Sequence, residues 1–331
     1  MRRAALVLAV NLALLAVLLG AVELASRLLA PTGRPQPLMA ATLEDWVTTR
    51  EFHPLLFWRM SPRRAADGTA VVNELGLRGP LPGKKRAGEL RILSLGESTT
   101  AAFRLPLERA YTGVAARELE AATGRPVTAI NAGVGGYALA QGVTFAKLYG
   151  LDLEPDVVLT YFGFNDFLRV GFRAERDAML DPATAGLTDR ELLSARSKPL
   201  ARALLWLEGR SNFARWAMGR QPPNELRRGT KVRVPETDRL FFYEELRELC
   251  RARRIRLVVL VPIYRSFHRH ERFLRALGDS GFEVLDLPTL LAPGLPDRRP
   301  YFFDPVHPRA ELHRLIGEAV AKGVAASLPA G

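Results

Sequence analysis

The sequence is almost without cysteine: Cys250 is the single one among 331 residues. That excludes an intramolecular disulfide and a thiolate metal cluster within one chain, so stability must come from a packed core, which a chain of this length can bury. Acidic residues are also scarce, 35 Asp and Glu against 47 Lys and Arg, leaving a formal net charge of +12. A positive excess fits an anionic partner, whether nucleic acid, a membrane surface or an acidic substrate, and does not choose among them. Nucleotide-binding signatures are missing: there is no P-loop, and the glycines at 133–136 lack the G-x-G-x-x-G spacing. No internal repeat is evident. With 48% hydrophobic and 25% charged side chains, the composition is that of a globular protein and argues against disorder or a fibrous chain. Length admits either two domains or one large α/β domain with attachments.

Long apolar runs are confined to the amino terminus. Residues 4–22, AALVLAVNLALLAVLLGAV, contain Asn11 as their only strongly polar side chain. As a helix this run would rise about 28 Å, close to the roughly 30 Å hydrocarbon core of a bilayer. A cleaved signal peptide shares the charged start and apolar middle, but it wants small residues at the cleavage site. Here the run continues Glu23-Leu24-Ala25-Ser26-Arg27, with no good A-x-A site. Apolar side chains all round the helix argue against a core helix. The expectation is a single-pass anchor at residues 1–30, or a secreted protein if the segment is cleaved. Arg2 and Arg3 favour a cytoplasmic amino terminus, which places the remainder in the periplasm or outside the cell. The lack of disulfides is compatible with that location, because oxidising compartments permit disulfides without requiring them.

Residues 31–89 read as a tether and irregular lead-in, rich in Pro, Gly and Arg, with Trp46, Phe52, Phe57 and Trp58 interspersed. Their one ordered hint is a short strand and glycine turn at 71–79. From residue 90 the pattern changes. Strands are expected at 91–95, 127–132, 156–162, 256–261 and 282–287, and helices at 111–122, 139–149, 240–254 and 309–327. The strands are apolar throughout instead of alternating, which fits a parallel sheet covered on both faces and makes the fold class α/β. Residues 166–239 interrupt the pattern. Arg-rich, helical at 191–207, with Pro222-Pro223 and basic residues at Arg227, Arg228, Lys231 and Arg233, they read as an insertion in a domain spanning 90–331.

Ligands of doubly wound sheets bind beyond the carboxyl ends of the strands. The first strand is followed by Gly96-Glu97-Ser98-Thr99-Thr100, the second by Asn131-Ala132-Gly133-Val134-Gly135-Gly136-Tyr137, and the third by Gly163-Phe164-Asn165-Asp166. Asp304-Pro305-Val306-His307-Pro308 precedes the last helix. These segments resemble the four signature blocks of the SGNH, or GDSL-type, hydrolase superfamily of serine esterases, lipases and carbohydrate deacetylases. The match covers about residues 90–165 and 300–325, in the family's order. Two positions depart from it: Glu97 stands where the name motif has Asp, and Thr100 where it often has Ser. Neither is the nucleophile.

The resemblance implies a three-layer α/β/α fold with a flavodoxin-like parallel sheet, ester hydrolysis through an acyl-enzyme, and no metal or organic cofactor. Carried over by position, it makes Ser98 the nucleophile, His307 the base and Asp304 the group fixing the base's tautomer. The oxyanion donors would be the Ser98 N–H, the Gly136 N–H and the Asn165 side chain. Plainer readings of the same residues are an N-cap for Ser98, a surface histidine for His307, an Asx-turn acid for Asp304 and a turn residue for Asn165. Gly133 and Gly135 are expected to shape the turn.

Other histidines are read as uninvolved. His268, Arg269 and His270 fit a solvated basic face better than a metal site, and His313 is expected on the surface of the last helix. Basic and aromatic residues between 196 and 220 suit anionic headgroups or an acidic glycan, since an extracytoplasmic location argues against nucleic acid. The expected activity is removal of O-acyl groups from an extracytoplasmic carbohydrate or lipid. An O-acetyltransferase using the same triad, or a non-catalytic envelope-binding module, are the alternatives.

Overall fold

The computed structural model describes residues 2–29, 50–53, 55–167, 169–170, 213, 231–265 and 269–326. The expected helix at 191–207, Trp46, Pro222-Pro223, Arg227, Arg228 and His268 lie outside the described residues. Helix α1, Arg2–Leu29, contains the segment Ala9–Leu29, which is long and apolar enough to cross a membrane. Strands β1 (Arg50–His53) and β2 (Phe57–Met60) form an antiparallel hairpin, and β3 (Arg63–Arg64) pairs antiparallel with β4 (Ala70–Val72).

The body of the fold then alternates strand and helix. β5 (Leu90–Gly96) leads into the single-turn helix α2 (Ser98–Ala101) and helix α3 (Tyr111–Thr123). β6 (Val127–Gly133) is followed by α4 (Leu139–Phe145), which widens into a π-type turn at Ala146–Gly150. β7 (Val157–Tyr161) ends the first half. A short antiparallel pair, β8 (Arg169–Val170) with β9 (Lys231–Val232), brackets most of the expected insertion. The second half runs α5 (Glu236–Ala252), β10 (Arg256–Val261), α6 (Arg269–Asp279), β11 (Glu283–Asp286), α7 (Leu287–Leu291) and α8 (Ala310–Ala325).

Five of these strands form one parallel sheet in the order β11-β10-β7-β5-β6. The first strand of the sheet thus lies between the second and third, the flavodoxin-like arrangement, whose ligand crevice opens where the winding reverses. Gly96 is level with Gly133 on one side and Tyr161 on the other, so the carboxyl ends of β5, β6 and β7 reach the same edge. On one face Tyr111, Ala115 and Leu119 of α3 pack with Leu312, Ile316 and Val320 of α8. On the other face Val143, Leu246 and Leu277, from α4, α5 and α6, share a core with Leu56, Trp58 and Met60 of the hairpin.

All five expected strands and four helices are present, with ends shifted by a few residues. Helix α6 and the short α7 are additions that periodicity did not reveal. The larger difference is residues 50–79, expected as irregular lead-in. They carry two antiparallel pairs and contribute Leu56, Phe57, Trp58, Met60, Val72 and Leu77 to the core. The body of the fold therefore begins near residue 50 rather than 90.

Candidate active site

Ser98 follows β5 as the first residue of α2, so its backbone N–H has no acceptor within the helix. Gly133 at the end of β6 allows α2 to lie close: a Cβ there would sit 2.1 Å from the Ala101 nitrogen. This glycine is required for the approach of α2 and is itself the last strand residue, a different role from shaping the turn. Asn131 secures the same junction by donating to the Thr100 carbonyl at 2.7 Å and accepting from the Gly133 N–H.

Ser98 Oγ lies 2.8 Å from His307 Nε2, and His307 Nδ1 lies 2.7 Å from Asp304 Oδ2. The other Asp304 oxygen accepts from the backbone N–H groups of Val306 and His307, at 2.9 and 2.8 Å. Burial opposes the charge of Asp304, but these donors together with the His307 ring hold its carboxyl below the usual range. An ionised Asp304 fixes the proton of neutral His307 on Nδ1 and leaves Nε2 as the acceptor for the Ser98 hydroxyl. The Asx-turn reading of Asp304 is also correct, because the same carboxylate makes both sets of bonds.

Gly136 and Asn165 line the same cleft as Ser98 and His307. Gly136 has φ of +84°, the left-handed region that a glycine adopts without strain. The preceding Gly135 carbonyl accepts from Trp58 Nε1 at 3.3 Å and faces Arg50 Nη2 at 3.5 Å. In a trans peptide the N–H points opposite the carbonyl, so fixing Gly135 O toward Trp58 and Arg50 turns the Gly136 N–H away from them. The Gly136 carbonyl accepts from Arg233 Nη1 at 2.8 Å, and Arg233 also reaches Gln141 Oε1 at 2.8 Å.

Asn165 is 7% exposed and its Nδ2 donates to Glu97 Oε2 at 2.9 Å and to the Tyr137 carbonyl at 3.0 Å. Both amide hydrogens are therefore engaged, and an oxyanion would receive one only in exchange for the Tyr137 bond. Glu97 is fully buried; its other oxygen accepts from Tyr264 Oη at 2.6 Å, and Asn165 N donates to Oε2 at 3.2 Å. Burial pushes its carboxyl up to about 7 despite these bonds. Next to it Asp166, likewise pushed up by burial to about 6, accepts from the Leu139 N–H at the start of α4.

The structure thus brings Ser98, Asp304, His307, Gly136 and Asn165 together at one sheet edge. Arg50, Trp58, Arg233 and Tyr264, which brace them, were not legible as site residues. His313 differs from expectation: it is 2% exposed and lines the cleft. The signal was available, since His313, Ile316, Gly317, Val320 and Val324 form the buried stripe of α8 at helical spacing.

A flavodoxin-like parallel sheet with a hydrogen-bonded serine, histidine and aspartate at its carboxyl edge defines an SGNH-type hydrolase. The model of the GDSL-like lipase/acylhydrolase family matches residues 94–315, and the chain belongs to that family of ester-hydrolysing enzymes. Solved structures similar to it include an acetylxylan esterase, Axe2, from Geobacillus stearothermophilus, at 12% identity and a TM-score of 0.46, covering 71% of this chain and 94% of the other. A GDSL-like lipase from Bacteroides thetaiotaomicron VPI-5482 has 11% identity and a TM-score of 0.42, covering 75% and 93%. LAE5, an alpha/beta hydrolase enzyme from the metagenome of Lake Arreo, Spain, has 15% identity and a TM-score of 0.46, covering 71% and 95%. No curated protein matches the chain.

Proposed function

We propose that the protein is a membrane-anchored serine esterase that removes O-acyl groups from an extracytoplasmic carbohydrate or lipid through an acyl-enzyme on Ser98. The observation that carries this reading is the chain of bonds from Ser98 Oγ to His307 Nε2 at 2.8 Å and from His307 Nδ1 to Asp304 at 2.7 Å. His307 takes the Ser98 proton as Oγ attacks the ester carbonyl, and Asp304 stabilises the imidazolium that forms. Negative charge on the carbonyl oxygen is met by the N–H groups of Ser98 and Gly136 and by Asn165, which gives up its bond to Tyr137 O. His307 then protonates the departing alcohol, and water activated by the same imidazole releases the acid.

The cleft holds about 440 Å³, toward the smaller end of ligand sites, and Phe103, Phe164 and Phe303 are among its walls. That volume favours a short acyl group with one compact alcohol over a long acyl chain. The apolar segment of α1 supplies the anchor, the charge of Arg2 and Arg3 the orientation, and the basic residues of the insertion a positive charge that suits an anionic surface. A fluorophosphonate probe is expected to label the full-length protein in detergent and to leave Ser98→Ala unlabelled. Equal labelling of the two, or none of the wild type, would refute the assignment.

A further inference from the structure

His313 has no part in the proton transfers above, yet it is a buried histidine on the wall of the cleft. Its ring lies parallel to that of Tyr111, with 6.2 Å between centroids and 8° between planes. Its Nδ1 accepts from the Tyr111 backbone N–H at 3.2 Å. Tyr111 is the first residue of α3, so this N–H is one of the donors a helix leaves unpaired, here satisfied from 202 residues away. A ring nitrogen that accepts cannot carry a proton, so the hydrogen of a neutral His313 is on Nε2. Burial, reinforced by the charge of Arg78, pushes its proton affinity down to about 3, which keeps the ring neutral at any physiological pH. Among the described residues Nδ1 alone of the two ring nitrogens has a hydrogen-bond partner, and Nε2, on the opposite edge of a ring that lines the cleft, is left for solvent or a ligand.

The position of His313 sets which part of a substrate would meet this donor. Gly136 and Asn165 come from the loops after β6 and β7 and mark the side of the carbonyl oxygen. His307 leads directly into α8, which carries His313, and both imidazoles line the cleft. The alcohol must leave past His307, which hands it a proton, and so departs on the His313 side.

We infer that His313 is a substrate-binding residue, whose Nε2–H donates a hydrogen bond to an oxygen on the alcohol part of the ester, so that the enzyme acts on esters of sugars or polyols in preference to plain alkyl esters. This rests on the acyl-enzyme reading of Ser98 and His307 and narrows it. An alcohol that shuts this donor off from water without offering it an acceptor is disfavoured, which makes the site discriminate instead of merely adding affinity.

The test compares methyl 2-O-acetyl-β-xylopyranoside with cyclohexyl acetate, two acetates of similar ring size that differ in ring and hydroxyl oxygens. Wild type is expected to prefer the xyloside. His313→Asn keeps an acceptor where Nδ1 was and removes the Nε2 donor; it should lower kcat/KM on the xyloside about fivefold, mainly through KM, and raise it on cyclohexyl acetate, which no longer covers an unpaired donor. His313→Gln places an amide N–H near the Nε2 position and should recover part of the xyloside activity. Equal losses on both substrates would make His313 a structural residue, and wild type without preference would remove the substrate class; either result overturns the inference. Undiminished cyclohexyl acetate turnover reports that the variants are folded. Wild type that neither hydrolyses either acetate nor takes the fluorophosphonate would instead refute the Ser98 mechanism, and this inference with it.

Discussion

Glu97 has an unusual environment for an acid: it is fully buried beside the nucleophile, with a second buried acid, Asp166, close by. Its ionised form is held by Tyr264 and by both nitrogens of Asn165, yet loss of hydration outweighs them and raises the carboxyl from 4.5 to about 7. The folded protein consequently binds a proton that the unfolded chain releases between those two pH values. Stability contributed by that proton is fully present below pH 4.5 and is lost as pH rises to about 7, amounting to about 3 kcal/mol on the pKa difference. Asp166, raised to about 6, acts in the same direction. Glu97→Gln keeps an oxygen for Asn165 and can donate to the Tyr264 oxygen. It should melt higher than wild type at pH 8, match it near pH 5, and show a shallower fall between the two, with Asp166 supplying the remaining slope. Parallel melting curves for the two proteins from pH 5 to 8 would contradict this placement of the charge. The buried carboxylate orients Asn165, accepting from both its backbone and its side-chain nitrogen.

The elements that position the glycine loop divide into those the sequence reveals and those it hides. β5, β6 and β7 are apolar runs ending in polar turns, and their alternation with helices made the sheet edge legible, with Ser98, Gly136, Asn165, Asp304 and His307 upon it. The β1–β2 hairpin was not legible. Its strands are four residues each, and the chain around them is rich in Arg and Pro, so no period of two persists long enough to read. What gives Trp58 and Arg50 their meaning is contact with Gly135, 77 and 85 residues away, and such pairings leave no local trace. Tyr264 on Glu97, 167 residues apart, is hidden for the same reason. The hairpin's effect on rate is measurable. Trp58→Phe keeps an aromatic ring in the core and removes the Nε1–H that fixes the Gly135–Gly136 peptide. In the proposed mechanism the Gly136 N–H meets charge that develops only in the transition state, so kcat should fall roughly tenfold with KM little changed. A rise in KM at unchanged kcat would place Trp58 in substrate binding instead of in the orientation of the loop.

At the scale of the whole molecule, the apolar helix α1 and the body from residue 50 are distinct in composition, and the boundary between them decides what can be cut. The tether reading of 31–89 put the start of the catalytic domain at 90, where the strand and helix alternation begins. Leu56, Phe57, Trp58, Met60, Val72 and Leu77 argue for an earlier start, because each is at most 5% exposed within the core that backs the sheet. Burying such side chains is worth about 2 kcal/mol apiece, so the six together supply roughly 12 kcal/mol, as much as the whole net stability of an ordinary domain. Arg78, donating to the Ala101 and Ala102 carbonyls at 2.6 and 2.7 Å, adds a direct tie from the same region to the end of α2, the helix that carries Ser98. A fragment beginning at residue 36 should therefore be soluble without detergent and hydrolyse p-nitrophenyl acetate at the rate of the full chain. A fragment beginning at residue 90 retains every residue of the proposed triad and oxyanion hole, yet it should aggregate or lose nearly all activity, because the core is opened and the Gly135 carbonyl loses its partners. A soluble fragment from 90 with full activity would show that the lead-in is an appendage after all, and that the glycine loop keeps its orientation without the hairpin.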